Sequence, residues 1–308
     1  MKIYDIVGKR KIYYGISLVI IALAVVFSLV FGVKLDIQFK GGTIVTYSYQ
    51  GELDKTAFEK TVEEAFGGNV SVQESTDVLT GKANVTVTMA EAKGVDAEVM
   101  TQLSDTLQQQ FPDNQLETVS SNSVPPTIGN EFLTKCLIAV AFAAVLMVIY
   151  VAIRFRVVGG WSAGVTAVIA LIHDVLVVFS TFIIFRLPID GNFIAVVLTI
   201  LGYSLNDTIV IFDRIRENKR LYGSKMEIRQ LVNQSISQSL SRTIATSVTT
   251  IISMVVVCVV ALALNVNSII TFAFPLSVGM LSGTYSSICL TGSLWTQWQE
   301  KKLAGKKN

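Results

Sequence analysis

Charge is what this chain is short of. Only 16% of its 308 residues are Asp, Glu, Lys or Arg and 51% are hydrophobic, whereas an ordinary soluble domain carries about a quarter charged residues. That composition excludes a soluble globular class. Cysteine is scarce too: Cys136, Cys258 and Cys289 are odd in number, lie in or beside apolar blocks and lack C-x-x-C spacing. They read as small buried hydrophobes, not as a disulfide framework or a metal site. Histidine occurs once, as His173. No A-x-A-like cleavage site follows the first apolar block, which outruns a signal-peptide core and ends in Phe-Gly-Val-Lys, so it reads as an uncleaved anchor.

What is present is long apolar runs. Six of them, Ile12 to Val33, Phe132 to Ile153, Trp161 to Phe185, Phe193 to Phe212, Leu240 to Leu264 and Ile269 to Trp295, reach the ~20 residues that cross a bilayer. Their flanks set an orientation. With the N-terminus in the cytoplasm, Lys2, Lys9, Arg10 and Lys11 lie inside, as do Arg154 and Arg156. The same holds for Arg214, Arg216, Lys219, Arg220, Lys225 and Arg229, and for Lys301, Lys302, Lys306 and Lys307. Arg186 alone falls in the short outer loops, as the positive-inside rule requires. The polar stretch between the first two spans is then extracytoplasmic.

The expected organisation is a cytoplasmic N-terminus and first span over residues 1–33, an outer domain over 34–126, five spans over 127–298 and a basic cytoplasmic tail over 299–308. The outer domain has α+β patterning. "IQFKGGTIVTYSY" alternates like a strand interrupted by Gly41-Gly42, and "LDKTAFEKTVEEAF" has helical spacing. "NVSVQES" and "ANVTVTM" read as strands around a turn at Thr80-Gly81-Lys82, "VDAEVMTQLSDTLQQQF" as a helix and "QLETVSSNSV" as a last strand. The order βαββαβ suggests a ferredoxin-like, split-βαβ arrangement. This domain has no His or Cys and its acids are scattered on helix faces, so a binding or lever element is expected and an enzyme is not. Pro125-Pro126 ends it and stiffens the start of the second span.

Chemistry is expected where polarity is expensive. A charge at the centre of a span costs ~2.5–3.5 kcal/mol and as a rule faces the bundle interior with a partner and a function. Asp174, Asp207 and Arg242 are the candidates. Asp207 lies six residues before Asp213 at the cytoplasmic edge, hence about 9 Å inside it, and Arg242 is expected at similar depth on the next helix. Ser204, Asp207 and Ile211 share one face of the fourth span, with Tyr203 at its edge. Opposite them a hydroxyl stripe, Ser239, Thr243, Thr246, Thr250 and Ser253, is placed to bond across helices or line a wet path. Small-xxx-small pairs at Gly160/Gly164, Ala163/Ala167 and Gly279/Gly283 allow close helix contact. Asp174 could instead be a structural partner of an arginine, and His173 a satisfied bundle histidine.

Five separated motifs carry a resemblance. "FKGGT", "VPPTIGNEF", "GYSLNDTIVIFDRIREN", "QSLSRTIATSVTT" and "LSGTYSSI" occur in that order, and together the chain resembles the SecF-type members of the SecD/SecF family of protein-export membrane proteins, within the resistance-nodulation-division superfamily. The resemblance implies a six-span half of a pseudo-symmetric bundle that SecD completes. It implies use of the proton motive force to pull or release preproteins emerging from the SecYEG translocon, with YajC and membrane lipid as further partners. It implies no enzymatic activity, cofactor, metal or nucleic acid. Carried over by motif, Asp207 in "LNDT" matches the family's proton-carrying acid, Arg242 in "SRT" its basic partner and Asp174 in "HDV" a further motif position. Ser204, Asn206, Thr243 and Thr246 are supporting polar groups. One departure is visible: where the family reads I-D-F-T-G-G, this chain has Gln38 in Ile-Gln-Phe-Lys-Gly-Gly. Two rivals remain in view. An intramembrane aspartyl protease using Asp174 and Asp207 lacks its G-x-G-D, with "SLND" in its place. A proton-driven small-molecule or lipid exporter of the same superfamily shares the fold and the proton chemistry.

Overall fold

A computed structural model describes residues 3–66, 70–76, 82–89, 97–156, 159–264 and 266–305. Its first long helix, α1 (Arg10–Phe31), ends at Gly32 in a positive-φ conformation. A short helix α2 (Ile37–Lys40) follows, N-capped by Asp36, whose carboxylate accepts from the Gln38 amide. The sequence pattern here predicts extended chain; the Asp36 cap and the two glycines turn it into one helical turn instead. Gly41 and Gly42 both have positive φ, and a Cβ on Gly42 would press on the Met89 carbonyl and the Ile37 side chain. Only glycine makes that bend.

Next come β1 (Gly42–Tyr49), α3 (Lys55–Phe66), β2 (Val70–Thr76), β3 (Ala83–Met89), α4 (Ala97–Gln110) and β4 (Glu117–Val124). Thr80 and Gly81 of the expected turn, and Val95-Asp96 at the expected start of the second helix, lie outside the described residues. The four strands form one antiparallel sheet in the order β2-β3-β1-β4, with a bulge opposite Thr46/Tyr47. Alternate residues Val45, Tyr47, Val85, Val87 and Met89 face Phe58 and Val62 of α3 and Leu103 and Leu107 of α4 in a closed core, the period-2 and period-3.6 patterns meeting on one side of the sheet.

The remaining helices are α5 (Pro126–Arg154), α6 (Gly160–Ile184), α7 (Gly191–Tyr222), α8 (Ile228–Ala263), α9 (Asn267–Tyr285) and α10 (Gly292–Ala304), the last two joined by a π-helical turn, Ser286–Thr291. Pro125 caps α5 and Pro126 is its first residue, where a missing N–H costs nothing. Among the described residues, six helical stretches are long and apolar enough to cross a membrane: Val7–Phe31, Thr127–Arg154, Gly160–Ile184, Gly191–Tyr222, Ile228–Ala263 and Ser268–Ala304. α6 and α7 are the centre, 61% and 56% buried over their most apolar windows, against 11% or less for α1, α5 and α8. Small residues set the crossings: Gly160 and Gly164 lie against Ala152 and Val148 of α5, and a Cβ on Gly283 would meet Ser204 at 2.9 Å. The three cysteines are free.

The sheet unit is strapped to the bundle. The Asp36 amide donates to the Ile189 carbonyl (3.0 Å) and the Ile189 amide to the Lys34 carbonyl (2.8 Å). Gly129 near the start of α5 leaves no room for a Cβ against the backbone of Phe39 and Gly41, while Phe39 stacks on Phe132 at 5.6 Å. Asp190 caps α7 by accepting from the Asn192 (2.9 Å) and Phe193 (3.2 Å) amides. Burial raises the Asp190 pKa, opposed by those two amides and reinforced by the charge of Asp36. An acid with a raised folded pKa stabilises most below its ordinary pKa, and that contribution is lost as pH rises through the raised value. Asp190→Asn, which keeps an acceptor without the charge, is therefore expected to unfold in detergent at neutral pH no earlier than the native chain. Asp190→Ala is expected to lose ~0.5–2 kcal/mol of cap, read as an earlier thermal midpoint.

Candidate functional site

The polar groups of the bundle gather around two acids. Asp174, on α6, is fully buried. It is surrounded by donors from three helices: Ser204 of α7 at 2.6 Å, Ser282 of α9 and Ser286 of the π-helical turn at 2.7 Å each, and the adjacent His173 Nδ1 at 3.1 Å. A buried carboxylate needs such a shell, since an unpaired charge out of water is unaffordable. The nearby Ser287 hydroxyl donates to the Ser204 carbonyl (3.1 Å) and shares a hydrogen bond with Thr208 (2.9 Å). His173 Nε2 is buried and has no partner among the described residues.

Asp207 is also buried, at 3% exposure, yet its surroundings differ. One turn along α7 from Ser204, it accepts a single long hydrogen bond among the described residues, from Ser247 of α8 at 3.5 Å. The Ser247 hydroxyl lies closer to the Thr243 carbonyl, at 2.8 Å, and itself receives Thr284 of α9 at 2.7 Å. Among the described residues no hydrogen bond joins Asp174 to Asp207, and every donor to Asp174 is a hydroxyl or the imidazole. Two carboxyls sharing one proton, as an aspartyl protease requires, are not found among the described residues.

Arg242 is not paired with Asp207. It is exposed, forms no ion pair among the described residues, and lines a groove of about 730 Å³ with Asn206, Arg214, Gln238 and Ser239 at the charged end of the bundle. At that end Asp213 holds Arg154 at 3.0 Å and Arg216 at 2.8 Å, and Glu300 holds Arg10 at 3.1 Å and also Arg229. The stripe on α8 also divides. Ser239 and Thr243 are buried, whereas Thr246 and Ser253 are exposed. The hydroxyls of Ser239, Thr246, Thr250 and Ser253 bond the carbonyl four residues back in their own helix instead of a neighbour. The inward row is Ser239, Thr243 and Ser247, at increments of four, on the buried side of α8. Thr243 Oγ1 is buried without a partner among the described residues.

Several site residues escaped the sequence reading: Ser247, Ser282, Thr284, Ser286 and Ser287. The run "SGTYSS" contained the signal, five hydroxyl residues in six positions of an otherwise apolar helix. Nothing in the pattern announces the π-helical turn, whose first residue, Ser286, donates to Asp174. Gln38 is placed well away, its side-chain oxygen accepting from the Gly191 amide at the start of α7 (3.1 Å).

Comparisons with known proteins agree with one another. Residues 102–301 match the family described as protein export membrane protein SecD/SecF, C-terminal. The chain is 31% identical to protein translocase subunit SecF of Alicyclobacillus acidocaldarius over 97% of its own length and 94% of the relative's. It is 33% identical to protein translocase subunit SecDF of Bacillus subtilis, again over 97% of this chain, but spans only 39% of that longer protein. Among solved structures it resembles SecDF of Thermus thermophilus, a translocon-associated membrane protein, with a TM-score of 0.80 at 30% identity, covering 97% of this chain and 39% of that one.

Removing a donor from the Asp174 shell is expected to cost less than removing the acceptor. Ser282→Ala should lower stability in detergent by ~0.5–2 kcal/mol, and Asp174→Ala, which strands three hydroxyls and an imidazole, by more than that. Chemical unfolding followed by tryptophan fluorescence measures both.

Proposed function

The chain belongs to the SecD/SecF family of protein export membrane proteins, and from that premise we propose that it is the SecF-type half of a proton-driven accessory to the Sec translocase. SecD supplies the other half, the SecYEG translocon and YajC are neighbours, the substrate is a translocating preprotein, and lipid surrounds the bundle. One observation carries the reading: among the described residues Asp207 is buried in the bundle with a single long hydrogen bond, while Asp174 beside it is saturated. A carboxylate so poorly solvated is the one whose proton occupancy its surroundings leave free to change.

Asp207 is the proton site, taking a proton that arrives from the outer side and releasing it through the groove that Arg242, Asn206 and Ser239 line. Arg242 is the cation that the ionised carboxylate attracts across that groove, with Thr243 and Thr246 beside it on α8. Asp174 and Ser204 are the fixed members of the relay, holding α6, α7 and α9 together while Asp207 changes charge. The membrane potential supplies ~2.3 kcal/mol per charge per 100 mV, enough to bias a helix packing balanced within a few kcal/mol.

The gathering of Arg10, Arg154, Arg216 and Arg229 at one end of the bundle supports cytoplasmic termini in a cell membrane. The βαββαβ order with strands in the order β2-β3-β1-β4 supports a ferredoxin-like domain, residues 34–126, on the outer side. Its straps to the α6–α7 connection and to α5 pass bundle movement to that domain, which holds or releases the chain in transit. No catalytic step is assigned.

Asp207→Asn, reconstituted with a SecD partner and translocon in vesicles, should insert normally and lose the stimulation of export by a proton gradient. Undiminished stimulation would refute the assignment.

A further inference from the structure

Between Ser282 and Ser287, successive hydroxyls of one helix reach four others. Ser282 and Ser286 donate to Asp174 on α6, Thr284 donates to Ser247 on α8, Tyr285 donates to the Tyr13 carbonyl on α1 at 2.8 Å, and Ser287 reaches Thr208 on α7. Ser247 is the group that touches Asp207. A single turn of α9, running into the π-helical turn, thus contacts the first acid directly and the second through one intermediary.

The proton count in that chain leaves each link two arrangements. Each hydroxyl has one proton, and both links have two acceptors in reach. Ser247 faces the Thr243 carbonyl at 2.8 Å and Asp207 at 3.5 Å; Thr284 faces Ser247 at 2.7 Å and the Met280 carbonyl at 3.0 Å. Ser286 likewise has Asp174 at 2.7 Å and the Gly283 carbonyl at 3.1 Å. An ionised carboxylate is the stronger acceptor, a backbone carbonyl the weaker. Bonding of Ser or Thr to the preceding turn also bends a helix, and a π-helical turn gives α9 a place to take up the change.

We infer that Ser247 and Thr284 are positioning residues that convert the charge of Asp207 into a change in α9, the helix that also clasps Asp174. With Asp207 ionised, Ser247 turns from the Thr243 carbonyl to the carboxylate and Thr284 turns to Ser247. With Asp207 protonated, both hydroxyls return to their own helices. The only bond that changes covalently is the O–H on Asp207, whose proton comes from the outer side and leaves through the groove. Among the described residues, the other titratable or charged side chains around Asp207 and the run are His173 on α6, Tyr203 on α7, Arg242 on α8, Tyr13 on α1, Tyr285 in the run and Cys289 in the π-helical turn that follows it; none is a link between Ser247 and Thr284. This inference rests on Asp207 being the proton site.

The test is infrared spectroscopy of the purified full chain in proteoliposomes during a pH titration, with carboxyl bands assigned by Asp174→Asn and Asp207→Asn. The Asp174 carboxylate band should shift as Asp207 changes protonation, keep that shift in Thr284→Ser, and lose it in Thr284→Val and in Ser247→Ala. In vesicles with the SecD partner and translocon, Thr284→Ser should keep proton-driven stimulation of export and Thr284→Val should lose it. A shift that survives in both Thr284→Val and Ser247→Ala overturns the inference. So does a native chain with no shift when Asp207→Asn still abolishes stimulation, an outcome that leaves the proton-site assignment standing. If Asp207→Asn does not abolish stimulation, the assignment fails and the inference with it.

Discussion

A carboxylate inside a bilayer must bring its own solvent, and the bundle is arranged around that requirement. Asp174 is enclosed by three hydroxyls and an imidazole, drawn from α6, α7 and the α9 segment. No two of these helices can separate without stripping a donor from a buried charge. The glycines and small residues follow from the same demand, because a serine hydroxyl reaches a neighbouring carboxylate only when the helix axes lie close. Gly283, pressed on Ser204, provides that approach beside the clasp itself.

Saturation of one acid leaves the other exposed to change. Asp207 shares a helix and a turn with Ser204, so the clasp fixes its depth and direction without feeding it donors. The end of α7 remote from the charged groove is tied at Ile189 and Gly191 to the segment that leads into the sheet. The start of α5 packs on the same segment. Movement of α7 or α5 therefore has a short, stiff route to the sheet unit, through backbone hydrogen bonds and not through a flexible linker.

Hydropathy located all six apolar helices, because nothing but a spanning helix accounts for such runs. It ended α7 near Phe212 and began α8 near Leu240, whereas the helices extend to Tyr222 and from Ile228: a helix continues past the hydrocarbon on its own hydrogen bonds, with Asn218 to Ser235 at 2.8 Å pinning the two extensions together. In the sheet unit, alternation found β1 through Tyr49 but could not see that Ile37–Lys40 coil into a turn, since four residues carry no period. Two acids and one arginine were legible as costly. Which acid was saturated was not, because the three serines that decide it lie 30, 108 and 112 positions from Asp174 in sequence, and Arg242 drew attention by its charge while its side chain faces the groove.

The direct measurement is proton uptake by the purified chain in proteoliposomes after a rapid pH jump, followed with an indicator dye. The account predicts that the native chain takes up protons at a site that Asp207→Asn removes. Uptake of the same size in Asp207→Asn would contradict it, and would place the mobile proton on some other group of the bundle.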